Sequence, residues 1–306
     1  MDKFGSLLAE GGLSLDRLRN FCLIAEAGGI TKAAGGDPAK QSLYSRQIKE
    51  LETFFGVELK RRQGKGIALT DAGRQLAQLV RAQFAGLEDF HRCARALPNR
   101  LSIAAGNSIL EWIVLPRIGS LRERLPDSIF EFRNQRTATI VSELMDMTCD
   151  VGIVRADAVK PPLKSRRLMS VNYSLFVPTQ LCKNLTDEHL KERVATFPIA
   201  TSVGGQFREQ LETGAAKARW PLRICVSCSS FTQAARAVRS GTFAAVLPAI
   251  AATDFVPERV REFPLSFLKR YARPLSIAWN PRLLDIRPSL PAAVSDLYEI
   301  LREANL

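Results

Sequence analysis

The chain has 306 residues, of which 46% are hydrophobic and 24% charged, and this ordinary globular composition excludes a disordered, collagen-like or purely coiled-coil protein. The length predicts about two domains. No apolar run reaches the roughly 18 residues of a membrane helix, and the first residues lack the basic start and apolar core of a signal peptide, so we expect a soluble, cytoplasmic protein. The formal net charge of +12 indicates an anionic partner, nucleic acid first.

The positive charge is concentrated towards the N-terminus. Residues 13–100 carry 15 basic and 9 acidic residues, an excess of 6 over 88 positions, whereas residues 101–306 carry 27 and 20, an excess of 7 over 206 positions. The charge density of the first segment is therefore about twice that of the second. We expect the surface that binds a polyanion to lie in the first segment.

Capping signals predict two short helices at the start of this segment. Ser14 precedes an apolar pattern of helical spacing and is predicted to cap the first helix, which ends at Gly28. Thr31 is predicted to cap a very short second helix that stops at Gly35.

A third helix is predicted to begin at Asp37-Pro38 and to run to about Phe55. A capping carboxylate followed by proline at the first helical position is a strong start signal. The predicted inner face is formed by Tyr44, Ile48, Leu51 and Phe55. Basic and polar residues are left on the other faces.

Residues 59–70 predict a β-wing, because two short strands flank a Gly-Lys-Gly turn beside a basic run. Thr70 is then predicted to cap a long helix that reaches about Ala96. Its apolar stripe comprises Leu76, Leu79, Val80, Phe84, Leu87 and Phe90. An amphipathic helix of this length usually packs on a second copy of itself, and packing on its own chain is the alternative.

Strands and helices alternate from residue 101 to the end, including a helix predicted over residues 109–124. This alternation predicts a mostly parallel sheet with helices on both faces. Such sheets bind ligands beyond the carboxyl ends of their strands.

This order of elements, a short helix, a turn, a longer helix and a wing, predicts a winged helix-turn-helix that binds double-stranded DNA. The longer helix would enter the major groove, while wing cations would contact phosphates or the minor groove. The candidate DNA-binding residues are Thr31, Lys32, Lys40, Gln41, Ser42, Ser45, Arg46, Lys49, Arg61, Arg62 and Lys65. The alternative is a solvated basic face on a small helical domain.

The sequence resembles the LysR-type transcriptional regulators. The resemblance rests on AA at 33–34, QSLYSRQIKELE at 41–52, FGVEL at 55–59, Arg62, the GKG turn and LTDAG at 69–73. It continues more weakly through Leu115-Pro116, DVGIV at 150–154 and the segment 237–248. Nearly all of the chain after residue 13 is covered.

The resemblance implies an α/β fold class with three parts. These are a winged helix-turn-helix over residues 13–70, a linker and dimerisation helix over 71–97, and an effector-binding domain over 98–306. The last is expected to be two-lobed and similar to periplasmic binding proteins, with lobe I over about 98–175 and 272–306 and lobe II over about 176–271. It also implies a homodimer or homotetramer.

A small-molecule effector is expected between the lobes. By position, the resemblance assigns effector contacts to Ser108, Thr201, Ser202, Gly204, Ser229 and Ser230. Hydroxyls and helix N-termini there would suit a carboxylate-bearing effector. Plain helix capping is the alternative role for these serines.

Asp37 departs from the family pattern, which has a core leucine at this position. In one interpretation Asp37 is exposed and caps the third helix. In the other, the short second helix is frayed and the domain depends on DNA or the dimer for order.

Other functional classes have weaker support. An enzyme of the hydrolase type would need a Gly-x-Ser-x-Gly turn and a supporting histidine, but the turn is absent and His91 and His189 are isolated. We therefore predict a regulator without catalytic residues, metal or cofactor. A regulator that senses oxidation through Cys225 and Cys228 is the alternative on the same fold. A small-molecule-binding protein without gene control is disfavoured by the basic winged helix.

Overall fold

The computed structural model describes residues 12–63, 66–182, 189–202 and 206–302. The chain forms two compact units. The first contains residues 1–97 together with two short segments from later in the chain, 145–148 and 281–288. The second contains residues 98–144, 149–280 and 289–306.

The first unit opens with helix α1 (Leu15–Ala27), which begins and ends at the predicted signals. The Oγ of Ser14 accepts a hydrogen bond from the Arg17 amide at 3.2 Å, and Gly28 ends the helix in the left-handed conformation at φ 70°. Helix α2 (Ile30–Ala33) starts two residues earlier than predicted. The expected Thr31 cap is wrong, because Gly29 occupies the cap position and Thr31 lies inside the helix.

Helix α3 (Pro38–Phe55) confirms the capping interpretation of Asp37. One carboxylate oxygen of Asp37 accepts hydrogen bonds from the amides of Ala39 at 2.8 Å and Lys40 at 3.3 Å. Proline at the first helical position lacks an amide hydrogen and leaves no donor unsatisfied there. Asp37 is only half-buried and so does not occupy the core position of a leucine.

We expect Asp37→Ala to lower the free energy of unfolding by about 1 kcal/mol, because two helix-start amides lose their acceptor. Asp37→Leu should be destabilising as well, since the position faces the helix start and not the core. Thermal unfolding of both variants beside the wild type measures this. A higher melting temperature for Asp37→Leu would contradict the capping role.

The core of the first unit lies on the inner face of α3. Tyr44, Ile48 and Leu51 are buried against Phe21 and Ile24 of α1. Burying this apolar face orients α3 so that its polar positions remain outside.

The wing consists of β1 (Lys60–Gln63) and β2 (Gly66–Leu69), which pair antiparallel as predicted. A carboxylate oxygen of Glu52, on α3, accepts hydrogen bonds from the amides of Leu59 at 3.0 Å and Lys60 at 3.3 Å. The wing is therefore anchored to the helix that precedes it.

Helix α4 (Asp71–Ala94) follows the wing and is capped by Thr70, whose Oγ1 accepts from the Gly73 amide at 3.0 Å. A Cβ at Gly73 would overlap the carbonyl oxygen of Leu59. Glycine is thus required where α4 begins against the wing.

Two segments from the second half of the chain pack on α4. The side chain of Gln78 donates to Asp146 at 3.3 Å, and Arg287, just after helix α11 (Pro281–Ile286), pairs with Asp89 at 3.4 Å. Three apolar side chains of α4 remain exposed on the single chain, with Leu79 at 54%, Leu87 at 56% and Phe90 at 70% exposure.

The second unit contains two five-stranded sheets. The first has the order β4-β3-β5-β12-β6 and consists of β3 (Asn99–Ala105), β4 (Ser128–Asn134), β5 (Val151–Arg155), β6 (Lys164–Val171) and β12 (Arg273–Trp279). The second has the order β11-β7-β10-β8-β9 and consists of β7 (Tyr173–Pro178), β8 (Ile199–Ser202), β9 (Ile224–Cys228), β10 (Ala244–Pro248) and β11 (Val260–Pro264).

Helices cover these sheets. They are α5 (Asn107–Ile109), α6 (Ile118–Arg124), α7 (Thr137–Met145), α8 (Leu190–Arg193), α9 (Gln206–Ala218), α10 (Phe231–Arg239) and α12 (Leu290–Arg302).

The expected parallel arrangement holds for four of the five strands in each sheet. Strand β12 runs antiparallel to both of its neighbours in the first sheet, and β7 does so in the second. The chain leaves the first sheet at the end of β6 and enters the second at β7 after Asn172, and it returns at β12. The one antiparallel strand of each sheet is therefore the strand that the chain enters after it crosses from the other sheet.

The helix predicted over residues 109–124 is present, since every residue of this range is helical, but it is not a uniform α-helix. The backbone passes from α5 through a π-helix (Leu110–Val114) and a 3-10 turn (Leu115–Arg117) before α6 begins. Pro116 has no amide hydrogen and clashes with the preceding turn of an α-helix. Trp112, in the π-helix, is buried and donates from Nε1 to the Asp254 carboxylate at 2.8 Å.

Candidate functional site

The outer face of α3 carries most of the side chains that the sequence assigns to DNA. Lys40, Ser42, Ser45, Arg46 and Lys49 are exposed, and Gln41 is half-buried. Thr31 and Lys32 of α2 are exposed as well. We call the exposed and half-buried polar residues of α3, from Lys40 to Lys49, the recognition face.

One acidic residue lies close to the recognition face without neutralising it. Glu50 pairs with Arg17 at 2.7 Å and lies 3.7 Å from Arg46. The side chain of Arg46 nevertheless remains 71% exposed. Because an exposed pair at this distance contributes little, Arg46 keeps its donors available to a ligand.

The wing contributes further cations. Arg61 is exposed on β1, and the backbone of Arg62 lies in the same strand. Lys65 is outside the described residues, as is the side chain of Arg62. The assignment of these two side chains to DNA stays a prediction.

A cavity of about 1010 Å³ lies in the second unit. Its lining comes from the ends of strands in the first sheet and from the start of α10 beside the second. The lining residues are Gly106, Asn107, Glu111, Asn134, Gln135, Arg136, Thr137, Thr139, Arg155, Ser229, Ser230, Thr232, Gln233 and Arg273.

Two of the predicted effector residues, Ser229 and Ser230, line this cavity. Both also take part in the helix start, since Ser230 Oγ accepts from the Gln233 amide at 3.2 Å and the Ser229 hydroxyl donates to the Gln233 side chain at 2.9 Å. Ser229 and Ser230 therefore have the capping role, and both residues also line the cavity.

The remaining predicted effector residues are not among the described lining residues. Ser108 is half-buried beside Asn107, and Thr201 and Ser202 are buried within β8. Gly204 lies outside the described residues. Effector contacts by these four residues stay predictions.

The residues that give the cavity its charge, and those that link the two sheets across it, were not predicted from the sequence. Arg136, Arg155 and Arg273 line it, and Asn107 donates from Nδ2 to Thr232 Oγ1 at 2.7 Å. Asn107 follows β3 and Arg136 follows β4, while Arg155 ends β5. The rule that ligands bind beyond the carboxyl ends of strands would have found these three.

Two aromatic rings lie near the guanidinium group of Arg273. Its guanidinium carbon lies 5.7 Å from the ring centre of Tyr173 and 6.0 Å from that of Phe207. Burial raises the pKa of the Tyr173 hydroxyl to about 12, although Arg273 and Arg155 oppose the shift. Tyr173 is therefore neutral at physiological pH and does not cancel the charge of Arg273.

The geometry of β9 argues against a disulfide between Cys225 and Cys228. Cys225 is exposed and Cys228 is buried, as alternation along a strand requires for positions three apart. Their Cα atoms are separated by about 10 Å along an extended strand, whereas a disulfide needs less than about 7 Å. Burial also raises the pKa of the Cys228 thiol, which lowers its reactivity.

Among the described residues, no helix is both long enough and apolar enough to cross a membrane. The same residues contain no group of three histidine, cysteine, aspartate or glutamate side chains placed to hold a metal ion.

Two family models match the chain. The LysR substrate binding domain matches residues 94–305, and the bacterial regulatory helix-turn-helix protein model of the lysR family matches residues 15–74. Together they match most of the chain, and residues 75–93 of α4 lie between the two matched ranges.

Relatives agree with these matches. The regulator YfeR of Shigella flexneri is 29% identical over 145 residues, 46% of this chain and 47% of that protein. The nitrogen assimilation regulatory protein nac of Escherichia coli is 24% identical over 246 residues, 78% of this chain and 80% of that protein. The match thus spans about half the length of YfeR and more of nac.

Solved structures share the fold. A full-length OxyR variant of Pseudomonas aeruginosa is 19% identical with a TM-score of 0.64, over 93% of this chain and 94% of that chain. Full-length CbnR, solved in complex with its target DNA, is 19% identical with a TM-score of 0.55, over 95% of this chain and 100% of that chain.

Proposed function

The chain belongs to the LysR family of bacterial transcriptional regulators, and from this premise we propose that it binds double-stranded DNA sequence-specifically under the control of a small molecule. The winged helix of the first unit is the DNA-binding element, and the cavity of the second unit holds the effector. The protein acts as a homodimer or homotetramer in the cytoplasm, where its DNA targets are.

The single observation that carries the DNA-binding proposal is the recognition face. A helix with one side buried by Tyr44, Ile48 and Leu51 presents a row of amide, hydroxyl and cationic groups on the other. Side chains of these types read base edges in the major groove and hold phosphates. The exposed Arg61 of the wing supplies a phosphate or minor-groove contact beside it.

Roles within the DNA-binding set follow from chemistry. Gln41 and Arg46 can each form two hydrogen bonds to one base and are assigned to sequence reading. Lys40 and Ser45 serve bases or phosphates. The phosphate contacts are assigned to Thr31, Lys32, Ser42, Lys49, Arg61, Arg62 and Lys65.

Sequencing the DNA retained by the purified full-length protein from a random duplex pool would test the proposal. We expect enrichment of one motif and an affinity that falls steeply with salt. Recovery of DNA without a common motif would refute sequence-specific binding.

For variants, we expect Gln41→Ala and Arg46→Ala to lose about 1–3 kcal/mol of discrimination at the base pair that each reads. Arg61→Ala should instead weaken binding to all sequences and flatten the salt dependence by about one unit. Fluorescence anisotropy on the selected motif and on single-base variants separates the two effects. If all three variants kept the affinity and specificity of the wild type, the assigned face would be wrong.

A further inference from the structure

The lining of the large cavity is unusually hydrophilic. Ligand pockets are mostly apolar with a few polar groups. Here the described lining residues are amides, hydroxyls, arginines, one glutamate and one glycine, without an aliphatic or aromatic side chain among them. Such side chains offer many hydrogen bonds to a polar ligand.

The lining also has an excess of positive charge. Among the lining residues that the structure describes, three are arginines (Arg136, Arg155 and Arg273) and one is acidic (Glu111), an excess of 3 − 1 = +2. Asp157 pairs with Arg155 at 3.4 Å, but its side chain is 68% exposed, so solvent screens much of this attraction. An occupant with two negative charges would balance the site.

Two of these arginines are neighbours in the first sheet. Arg155 is directly opposite Leu275 in the pairing of β5 with β12. Arg273 lies two residues before Leu275 and so shares its face. Diagonal neighbours of this kind are about 7–8 Å apart, which places two guanidinium groups at one side of the cavity.

The third arginine stands apart from this pair. Arg136 follows β4, and β3 lies between β4 and β5. Neighbouring strands are about 4.8 Å apart, so β4 and β5 are separated by roughly 10 Å. The cavity therefore has cationic groups at two places, with Asn107 at the end of β3 between them.

We propose that the effector carries two separated anionic groups on a short, hydrophilic, non-aromatic skeleton. Arg136 binds one anionic group, and Arg155 with Arg273 binds the other. Hydroxyl and amide groups from the start of α10, including Ser230 and Gln233, bind the skeleton. This inference rests on the proposed function, since it assigns the ligand class of the same effector cavity.

The test is isothermal titration of the full-length protein with matched probes. Succinate, glutarate and adipate supply two carboxylates at increasing separation, and 3-phosphoglycerate supplies a phosphate and a carboxylate. Butyrate and benzoate are the monoanionic controls, aliphatic and aromatic. We expect at least one dianion to bind about 10- to 100-fold more tightly than both monoanions, as the second charged hydrogen-bonding group requires.

Variants locate the binding. Arg136→Gln and Arg155→Gln should each weaken the best dianion about 10- to 100-fold, while leaving butyrate affinity within a few-fold for at least one of them. Arg259→Gln is the matched control, because Arg259 lines a separate cavity of about 570 Å³ in the second unit. It should bind the dianion as the wild type does.

The outcomes distinguish this inference from the proposed function. If the wild type binds its selected DNA but no dianion binds better than butyrate or benzoate, the dianion inference is overturned and the DNA-binding proposal stands. The same holds if Arg136→Gln and Arg155→Gln, folded by circular dichroism, bind the best dianion like the wild type. If the wild type binds no DNA, the proposed function fails whatever the titrations give.

Discussion

Arg287→Ala is expected to lower the free energy of unfolding by about 3–5 kcal/mol, the usual cost of removing one partner from a buried ion pair. Asp89 is 2% exposed and Arg287 is 8% exposed. The Nε and Nη2 atoms of Arg287 both lie 3.4 Å from one carboxylate oxygen of Asp89. Without the guanidinium, the Asp89 carboxylate would lose these two hydrogen bonds while it remained buried on α4.

Denaturant unfolding of the variant beside the wild type measures this effect. The double variant Asp89→Ala/Arg287→Ala should be more stable than the sum of the two single changes predicts, by about 0.5–3 kcal/mol. Arg74→Ala is the matched control, because Arg74 forms an exposed pair with Asp71 on the same helix and such pairs contribute about 0–1 kcal/mol. Equal effects of Arg287→Ala and Arg74→Ala would show that the buried pair is not stabilising.

The second large effect is expected at the exposed apolar face of α4. Leu79, Leu87 and Phe90 fall within about 80° of one another on the helix, at 100° per residue, and all are exposed on the single chain. We propose that a second copy of the chain covers them. Leu79→Glu or Leu87→Glu would then bury a carboxylate at the interface, at a cost on the order of several kcal/mol.

Light scattering of the purified variants tests this proposal. We expect a smaller species or aggregation. Binding of the selected DNA should also weaken, because a separated chain contacts the DNA through one winged helix and a dimer through two. Glu88→Lys changes the charge on the opposite side of α4 from Leu79 and should leave the mass unchanged. An unaltered mass with full DNA affinity in both leucine variants would refute the assigned interface.

Local signals in the sequence were sufficient for the DNA-binding unit. Asp37-Pro38 starts α3 and Thr70 starts α4, where each side-chain oxygen accepts from an amide two or three residues later. Gly28 and Gly56 end helices in the left-handed conformation. Thr31 was the exception, because the preceding Gly29 occupies the cap position and α2 starts at Ile30.

In the second unit the expected alternation of strands and helices did not predict the direct passage from β6 to β7 without a helix between them. Strand β6 begins with four exposed residues, Lys164 to Arg167, so its first half has no apolar pattern. The π-helix was also missed, because the hydrogen bond that holds Trp112 goes to Asp254, a residue 142 positions away. No short window of sequence contains that partner.

What the sequence alone determined is therefore the fold class, the starts of α1, α3 and α4, and the polar outer face of α3, since caps and helical periodicity act within a few residues. Only the tertiary structure decided the charge and polarity of the effector cavity. Arg136, Arg155 and Arg273 lie far apart in the chain and meet because β3 and β5 are adjacent, β4 lies beside β3, and β12 returns from the second sheet to pair with β5. Strand order is fixed by the burial of both sheet faces over the whole unit, and a pattern read along the chain does not record which strand ends become neighbours.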